Sequence, residues 1–386
     1  MEIINYLVGF NEIHSTIYGY LKEAKKTIFW SFFDLDPEFK FYNNQTLYEI
    51  FEELANNGVL IYITINERNR PVQFKHKNIH IKIVIGRGQF ENRLQKYTFQ
   101  TIYPISTKYI QHQRYLYIDN KFLFFCGTNI SPEYSYKQTK YTWHETSLLL
   151  HLNNYIDVFL NNFHKNNKHT FPEPFCSNNE IFHDKICDAI MSSKRYVYFE
   201  NQYFFSSIES KYKLKNRISD SIAKRITLAI QNNETFNLYL IINEEHHDEN
   251  KLCRMMMKRV QLISIRNIYK KIPFNEETIN KYLHIYYPSD KTVIHNKIYC
   301  FDGESLWISS ANIADRSMLL ERDIELSIQI TNRDMIKQIE SKTWLKTVQD
   351  HSIDHTIKSY YNKSCKLIRV VNAISSVIPF NVHILF

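Results

Sequence analysis

The stretch HQRYLYID at residues 112–119 and the stretch HNKIYCFD at 295–302 share one spacing: histidine, spacer, cation, four residues, aspartate. In a strand, residues two apart point to the same side, so His112 and Arg114 share a face, and so do His295 and Lys297. Turn formers follow each string, DNK at 119–121 and DGES at 302–305, and an apolar run then returns as FLFFC or LWISS. Each copy therefore predicts a β-hairpin with its aspartate, Asp119 or Asp302, at the turn, bracing it or fixing its neighbours. Asn129 and Asn312 follow on the returning strands, each the same distance past its aspartate. In-register pairing brings each asparagine back beside its own histidine.

Two more pairs of segments recur in the same order. EAKKTIFWSFFDLDP (23–37) has its counterpart in SSKRYVYFENQYFFSS (192–207), a charged helix end running into an aromatic strand. NGVLIYITINE (57–67) resembles NLYLIINEE (237–245), each an apolar strand closing on Asn-Glu. Three matched blocks in one order indicate two copies of an α/β unit, with helical stretches alternating with strands. The Asn/Lys/His/Pro-rich NNFHKNNKHTFPEPF at 161–175 separates them, which predicts an N-terminal lobe over 1–168 and a C-terminal lobe over 169–386. A chain of 386 residues suits two domains of ordinary size.

Composition narrows the class without choosing a partner. With 44% hydrophobic and 23% charged residues the chain reads as globular rather than disordered. A net charge of +8 suits anionic partners such as phosphates, nucleic acid or acidic lipid. Cations concentrate in FKHKNIHIKIVIGRGQFENRLQK (74–96), read as a solvated loop, and in KLCRMMMKRVQLISIRNIYKKI (251–272), read as an amphipathic core helix. The six cysteines show no CxxC and no regular spacing, so reduced, packed thiols are expected. There is no signal-peptide pattern and no apolar run of spanning length, and the expectation is a cytoplasmic protein associated peripherally with membranes. Asn129-Ile130-Ser131 has the form of a glycosylation acceptor, but the hairpin assigns Asn129 to the interior.

Each motif supplies an imidazole, a fixed cation and an amide, and two such half-sites facing one another suit attack on a phosphodiester. One neutral histidine attacks phosphorus while the other, protonated, donates to the leaving oxygen. Arg114, Lys297, Asn129, Asn312 and Ser310 are the candidates for holding the phosphate oxygens. No metal or cofactor is called for, because side chains carry the positive charge. A histidine in this role needs its second nitrogen tethered by a carboxylate. Glu145, in YTWHETSLLL, and Glu325, in ERDIELSIQI, are the candidates, and the pairing of acid with histidine stays open.

HNKIYCFDGESLWISSANIADRSMLLERDIEL resembles the second HKD motif of the phospholipase D superfamily, H-x-K-x4-D-x6-G-[ST]-x-N, with the RS…ERD-x-E continuation of the eukaryotic-type enzymes. RYVYFENQYFFSS is similar to their I-Y-I-E-N-Q-Y-F segment, and HQRYLYIDNKFLFFCGTNIS with TWHETSLLL resembles their first motif and W-H-D element. The likeness runs from about residue 15 to 345. It implies two pseudo-symmetric α/β/α sandwich lobes with one active site at their interface, His112 as nucleophile and His295 as general acid. Three positions depart from the pattern. Ser309 and Cys126 stand where glycines are usual, and Arg114 stands for lysine, which keeps the charge but exchanges a point charge for a planar fork.

The resemblance implies a phospholipase D acting at a phospholipid surface, hydrolysing the head group to phosphatidic acid or transferring the phosphatidyl group to an alcohol. Two other readings stay open. One is a nuclease or other phosphodiesterase of the same superfamily, and the other is a membrane-binding relative that has lost turnover through Arg114.

Overall fold

The structure is a computed structural model, and it describes residues 2–33, 35–66, 74–84, 110–126, 129–130, 142–152, 179–206, 216–244, 251–288, 292–318, 323–349 and 357–359. The connection at 161–175, most of the basic block after 84 and the tail from 360 lie outside them. The chain divides into two units. Among described residues, the first holds those between 2 and 152 together with Asp323–Leu326, and the second holds the rest. The expected boundary at 168 lies outside the described residues, and the short segment Asp323–Leu326, far along the chain, groups with the first unit.

In the first unit, β1 (Glu2–Val8) leads into helix α1 (Phe10–Glu23), then β2 (Thr27–Ser31) and a small hairpin of β3 (Lys40–Tyr42) and β4 (Gln45–Thr46). Helix α2 (Leu47–Asn56) starts on a capping box: the Thr46 hydroxyl accepts from Glu49 N at 3.1 Å, and the Glu49 carboxylate accepts from Thr46 N at 2.8 Å. There follow β5 (Leu60–Asn66), β6 (Ile79–Val84), β7 (Ile110–Gln111), β8 (Tyr115–Ile118), β9 (Phe122–Cys126), β10 (Thr142–His144) and β11 (Thr146–His151). Seven of these form one sheet in the order β1-β11-β9-β8-β2-β5-β6. Alternation along the strands sends Ile28, Trp30, Ile61, Ile63, Leu116 and Ile118 to the face that packs on Ile13, Ile17 and Leu21 of α1 and on Ile50, Phe51 and Leu54 of α2. The opposite face carries an aromatic row in which Phe29, Tyr62 and His80 stack, with centroids 4.9 and 5.0 Å apart.

The second unit runs α3 (Asn179–Ser192), β12 (Tyr196–Asn201), α4 (Ile218–Gln231), β13 (Asn237–Ile242), α5 (Lys251–Lys271), α6 (Glu276–Ile279), β14 (Leu283–Pro288), β15 (Thr292–Ile294), β16 (Lys297–Phe301) and β17 (Ser305–Ser309). It continues with α7 (Asp315–Met318), β18 (Asp323–Ile324, in the first unit), β19 (Ser327–Ile330), α8 (Arg333–Glu340), α9 (Leu345–Gln349) and β20 (Ile357–Ser359). Its sheet has the order β19-β17-β16-β12-β13-β14-β20. Six strands therefore recur in one spatial order in the two units, from β11-β9-β8-β2-β5-β6 to β19-β17-β16-β12-β13-β14. Ile186, Ile190, Ile222, Ile226, Ile265 and Ile268 of α3, α4 and α5 pack on one face, against Val197, Phe199, Leu238 and Leu240. Glu340 of α8 lies on the other, where it accepts hydrogen bonds from Tyr196 Oη and from Cys300 Sγ. Helices on both faces make this unit an α/β/α sandwich.

The 251–272 stretch is the helix its periodicity predicts, and its Met257, Val260, Ile265 and Ile268 are buried. Cys187 and Cys300 are free, buried thiols. His183 is also buried and is structural: its Nε2 accepts from Arg217 N at 3.0 Å, which leaves Nδ1–H to face Asp184 at 3.0 Å. Among the described residues no helix is long and apolar enough to cross a membrane.

Candidate active site

Both repeated strings form hairpins, and their turns have the same construction. Asp119 and Asn120 have φ of 53° and 54°, Asp302 and Gly303 have 55° and 64°, and each turn closes with an N–H···O bond of 2.9 Å, Lys121 to Ile118 and Glu304 to Phe301. Positive φ at both central residues is the type I′ turn, which Asn, Asp and Gly tolerate and whose twist matches the strands it joins. Each aspartate then binds three successive backbone N–H groups. Asp119 accepts from Lys25, Lys26 and Thr27 at 2.7, 2.7 and 3.0 Å. Asp302 accepts from Lys194, Arg195 and Tyr196 at 2.7, 2.7 and 2.8 Å. These carboxylates pin the entry of β2 or β12 to the hairpin, with a whole strand between them and their histidines.

At the other end of the first hairpin, β18 pairs in parallel with β7, Asp323 opposite Ile110 and Ile324 opposite Gln111. The next step along that register sets Glu325 beside His112. His112 Nδ1 lies 2.9 Å from both Glu325 carboxylate oxygens, and Gln113 Nε2 donates to the Glu325 carbonyl at 2.9 Å. The carboxylate is 1% exposed and the imidazole side chain 10%. A carboxylate only accepts, so Nδ1 bears the proton, and Nε2 is left with its lone pair. Glu325 thus fixes the tautomer of His112.

Arg114, two residues on, is buried, with its guanidinium carbon 5.3 Å from the centre of the Phe33 ring. The same ring meets His112 edge-on, with centroids 5.3 Å apart at 88°. Asn66, the last residue of β5, donates to the Phe33 carbonyl at 3.1 Å. Asn129 and Glu145 are also buried in this unit. Burial of Asn129 removes the glycosylation signature from the surface.

In the second unit, Lys297 Nζ donates to the His295 carbonyl at 2.6 Å and to Gln202 Oε1 at 3.1 Å. Asn243, just past β13, brackets the approach to the histidine: Nδ2 donates to the Ile294 and Gln202 carbonyls at 2.8 and 3.2 Å, and Oδ1 accepts from Ile294 N at 2.8 Å. Glu200, fully buried, accepts from Asn296 Nδ2 at 2.8 Å and from Tyr198 Oη, and so holds the residue between His295 and Lys297. Asn201 Oδ1 accepts from Ile313 N at 3.1 Å, fixing the segment that carries Asn312. Ser310 and Asn312 are buried in the same unit.

The structure thus brings His112, Glu325 and Arg114 together in one unit and His295 and Lys297 in the other, and it sets the two aspartates on backbone amides. Phe33, Asn66, Glu200, Gln202 and Asn243 had no role in the sequence reading. The repeated Asn-Glu closing of β5 and β13 was the visible signal for Asn66 and Asn243, and the ENQYF segment was that for Glu200 and Gln202.

Comparison with known proteins agrees with this construction. Residues 186–344 match the family model described as "Cardiolipin synthase, PLD-like domain". Phospholipase D1 of Cricetulus griseus is 27% identical over 183 residues, 42% of this chain and 18% of that protein. Phospholipase D A of Dictyostelium discoideum is 28% identical over 178 residues, 42% of this chain and 14% of that protein. The matched segment spans under a fifth of either relative. Among solved structures, phosphatidylserine synthase of Haemophilus influenzae superimposes with a TM-score of 0.57 at 13% identity, over 96% of this chain and 93% of that one. Yeast tyrosyl-DNA phosphodiesterase does so with a TM-score of 0.50 at 13% identity, over 85% and 91%. The family-model match lies in the second copy of the repeat, the shared strand order extends the likeness to the first, and the chain is similar to phospholipase D proteins in sequence over part of its length and in fold over most of it.

Proposed function

We propose that the chain is a phosphodiesterase of the phospholipase D type, cleaving the head group of a glycerophospholipid through a phosphohistidine intermediate. His112 Nε2 attacks phosphorus, the bond from phosphorus to the head-group oxygen breaks, and His295 delivers its proton to that oxygen. A water molecule or an alcohol then attacks the phosphohistidine, giving its proton to His295, and phosphatidic acid or a new phosphatidyl ester leaves. Arg114, Lys297, Asn129, Asn312 and Ser310 stabilise the phosphoryl oxygens as charge develops. Asp119 and Asp302 act at a distance, by holding the hairpins.

The observation that carries the reading is the Glu325 carboxylate with both oxygens 2.9 Å from His112 Nδ1, which leaves the opposite nitrogen as the nucleophile. The eukaryotic phospholipase D relatives supply the choice of a lipid substrate, and with it a peripheral place at a phospholipid surface. The test uses the purified chain and its His295→Ala variant with phosphatidylcholine vesicles and a little ethanol. Phosphatidylethanol, detected by mass spectrometry, is expected from the parent alone. Cleavage of oligonucleotides with no lipid product would replace this reading with the nuclease one. Inertness towards both substrates would favour a binding protein without turnover.

A further inference from the structure

The two copies differ in their cation, Arg114 in one and Lys297 in the other, and a second position differs with them. The strand pairings align the copies. Ser31 lies opposite Tyr115 in β2 and β8, and Glu200 lies opposite Ile298 in β12 and β16, each three residues past its histidine. Ser31 therefore corresponds to Glu200, and Phe33, two further on, to Gln202. The backbone agrees: Asn66 and Asn243 each donate to the carbonyl of this very position, at 3.1 and 3.2 Å. The following bridges agree too, Leu35 with Ile130 and Phe204 with Ile313.

At this one position the side chain meets the cation of its own motif. Gln202 offers a carbonyl oxygen to the Lys297 ammonium at 3.1 Å. Phe33 offers a ring face to the Arg114 guanidinium at 5.3 Å. Each partner suits its cation. An ammonium is a compact donor that wants an oxygen, whereas a guanidinium is planar and weakly hydrated and rests well on an aromatic ring. Phe33 also touches the His112 ring edge-on, so it orients the motif's two functional groups together.

We propose that residues 33 and 202 are matched positioning residues, each selecting the cation of its half-site, so that Arg114 with Phe33 is a complete substitute for lysine with glutamine. Arg114 is then a retuned element rather than a decayed one. Arg114→Lys alone loses its ring contact without the side-chain oxygen that Gln202 offers Lys297, while Arg114→Lys together with Phe33→Gln rebuilds the second copy's arrangement in the first.

The test is a double-mutant cycle of the parent, Arg114→Lys, Phe33→Gln and the double variant, read in two ways. The first is the unfolding equilibrium in denaturant, which does not depend on the activity proposed above. The second is turnover of the phosphodiester substrate, kcat and KM separately, which does rest on that reading. The expected coupling is roughly 2- to 30-fold in the unfolding constant, the range of a buried cation–π contact. In kcat each single variant falls below the parent and the double variant recovers. Phe33→Tyr, which keeps the ring, holds parent values with Arg114, and Phe33→Leu, which removes it, takes the place of Phe33→Gln in the cycle if that variant does not fold. Additivity in both readouts, or a gain in kcat from Arg114→Lys alone, would overturn the pairing. Coupling in stability with a parent inactive on phosphodiesters would keep the pairing and sink the phosphodiesterase reading. An active parent with additive variants would do the reverse.

Discussion

His14 sits in α1 among the buried residues Ile13, Ile17 and Leu21, with its ring 3.7 Å from that of Phe10 and 4.7 Å from that of Phe41, centre to centre. It is 0% exposed, and neither ring nitrogen has a hydrogen-bond partner among the described residues. Burial lowers its pKa from 6.5 to about 3. The folded value lies below the unfolded one, so the unfolded chain takes up the proton first, and stability falls as pH drops from 6.5 towards 3. At pH 5 the gap from the unfolded value corresponds to ~2 kcal/mol, at 1.36 kcal/mol per pH unit. Replacing His14 by Leu removes that term and also two buried polar atoms without partners, so at pH 7.5 the variant should match or exceed the parent. Urea unfolding at pH 7.5 and at pH 5.0 checks this. The parent should lose ~2 kcal/mol more than His14→Leu between the two conditions. The same loss in both proteins would refute a neutral, buried His14. Carboxylates that also weaken in acid are common to the pair and cancel in the comparison.

Three further outcomes follow from particular contacts. Glu325→Gln keeps the shape but removes the charge that holds His112 in its tautomer, and kcat should fall about a hundredfold or more with little change in KM, measured at saturating substrate. At the second turn, Asp302→Ala gives up three backbone hydrogen bonds at a positive φ and should cost about 2 kcal/mol in thermal or chemical denaturation, with Asp302→Asn costing less. Gly303→Ala adds strain at φ 64° and sets a methyl group 3.0 Å from Tyr196 Oη, so it should also destabilise. Asn243→Asp turns a donor towards two carbonyls into a buried carboxylate facing them. It should destabilise by about 3 kcal/mol in the same assay, and Asn243→Ala by less.

Much of this protein was legible in its sequence because the signals were local. The spacing of histidine, cation and aspartate, with Asp-Asn or Asp-Gly to follow, specifies strands of period two joined by a turn that needs positive φ, and both hairpins have that form. Repetition of three blocks in one order foretold two sheets of like topology, because each block is a strand with its flanks. The role of the aspartates as turn braces was readable in outline, though not their hold on three amides of a strand some hundred residues away. What the chain did not disclose was pairing at long range. Glu325 reaches His112 across 213 residues, and the register of a two-residue parallel strand carries it there rather than any pattern in the neighbouring sequence. The sequence gives no partner for the cations at Phe33 or Gln202, even though Gln202 lies in the ENQYF segment, because a residue just past a strand looks like a turn until the sheet brings the motif's cation beside it. The sequence by itself determined the hairpins, the repeat and the residue types available for chemistry. Only the tertiary structure decided which acid tethers His112 and what each cation rests upon, since those contacts depend on sheet register, which no spacing along the chain encodes.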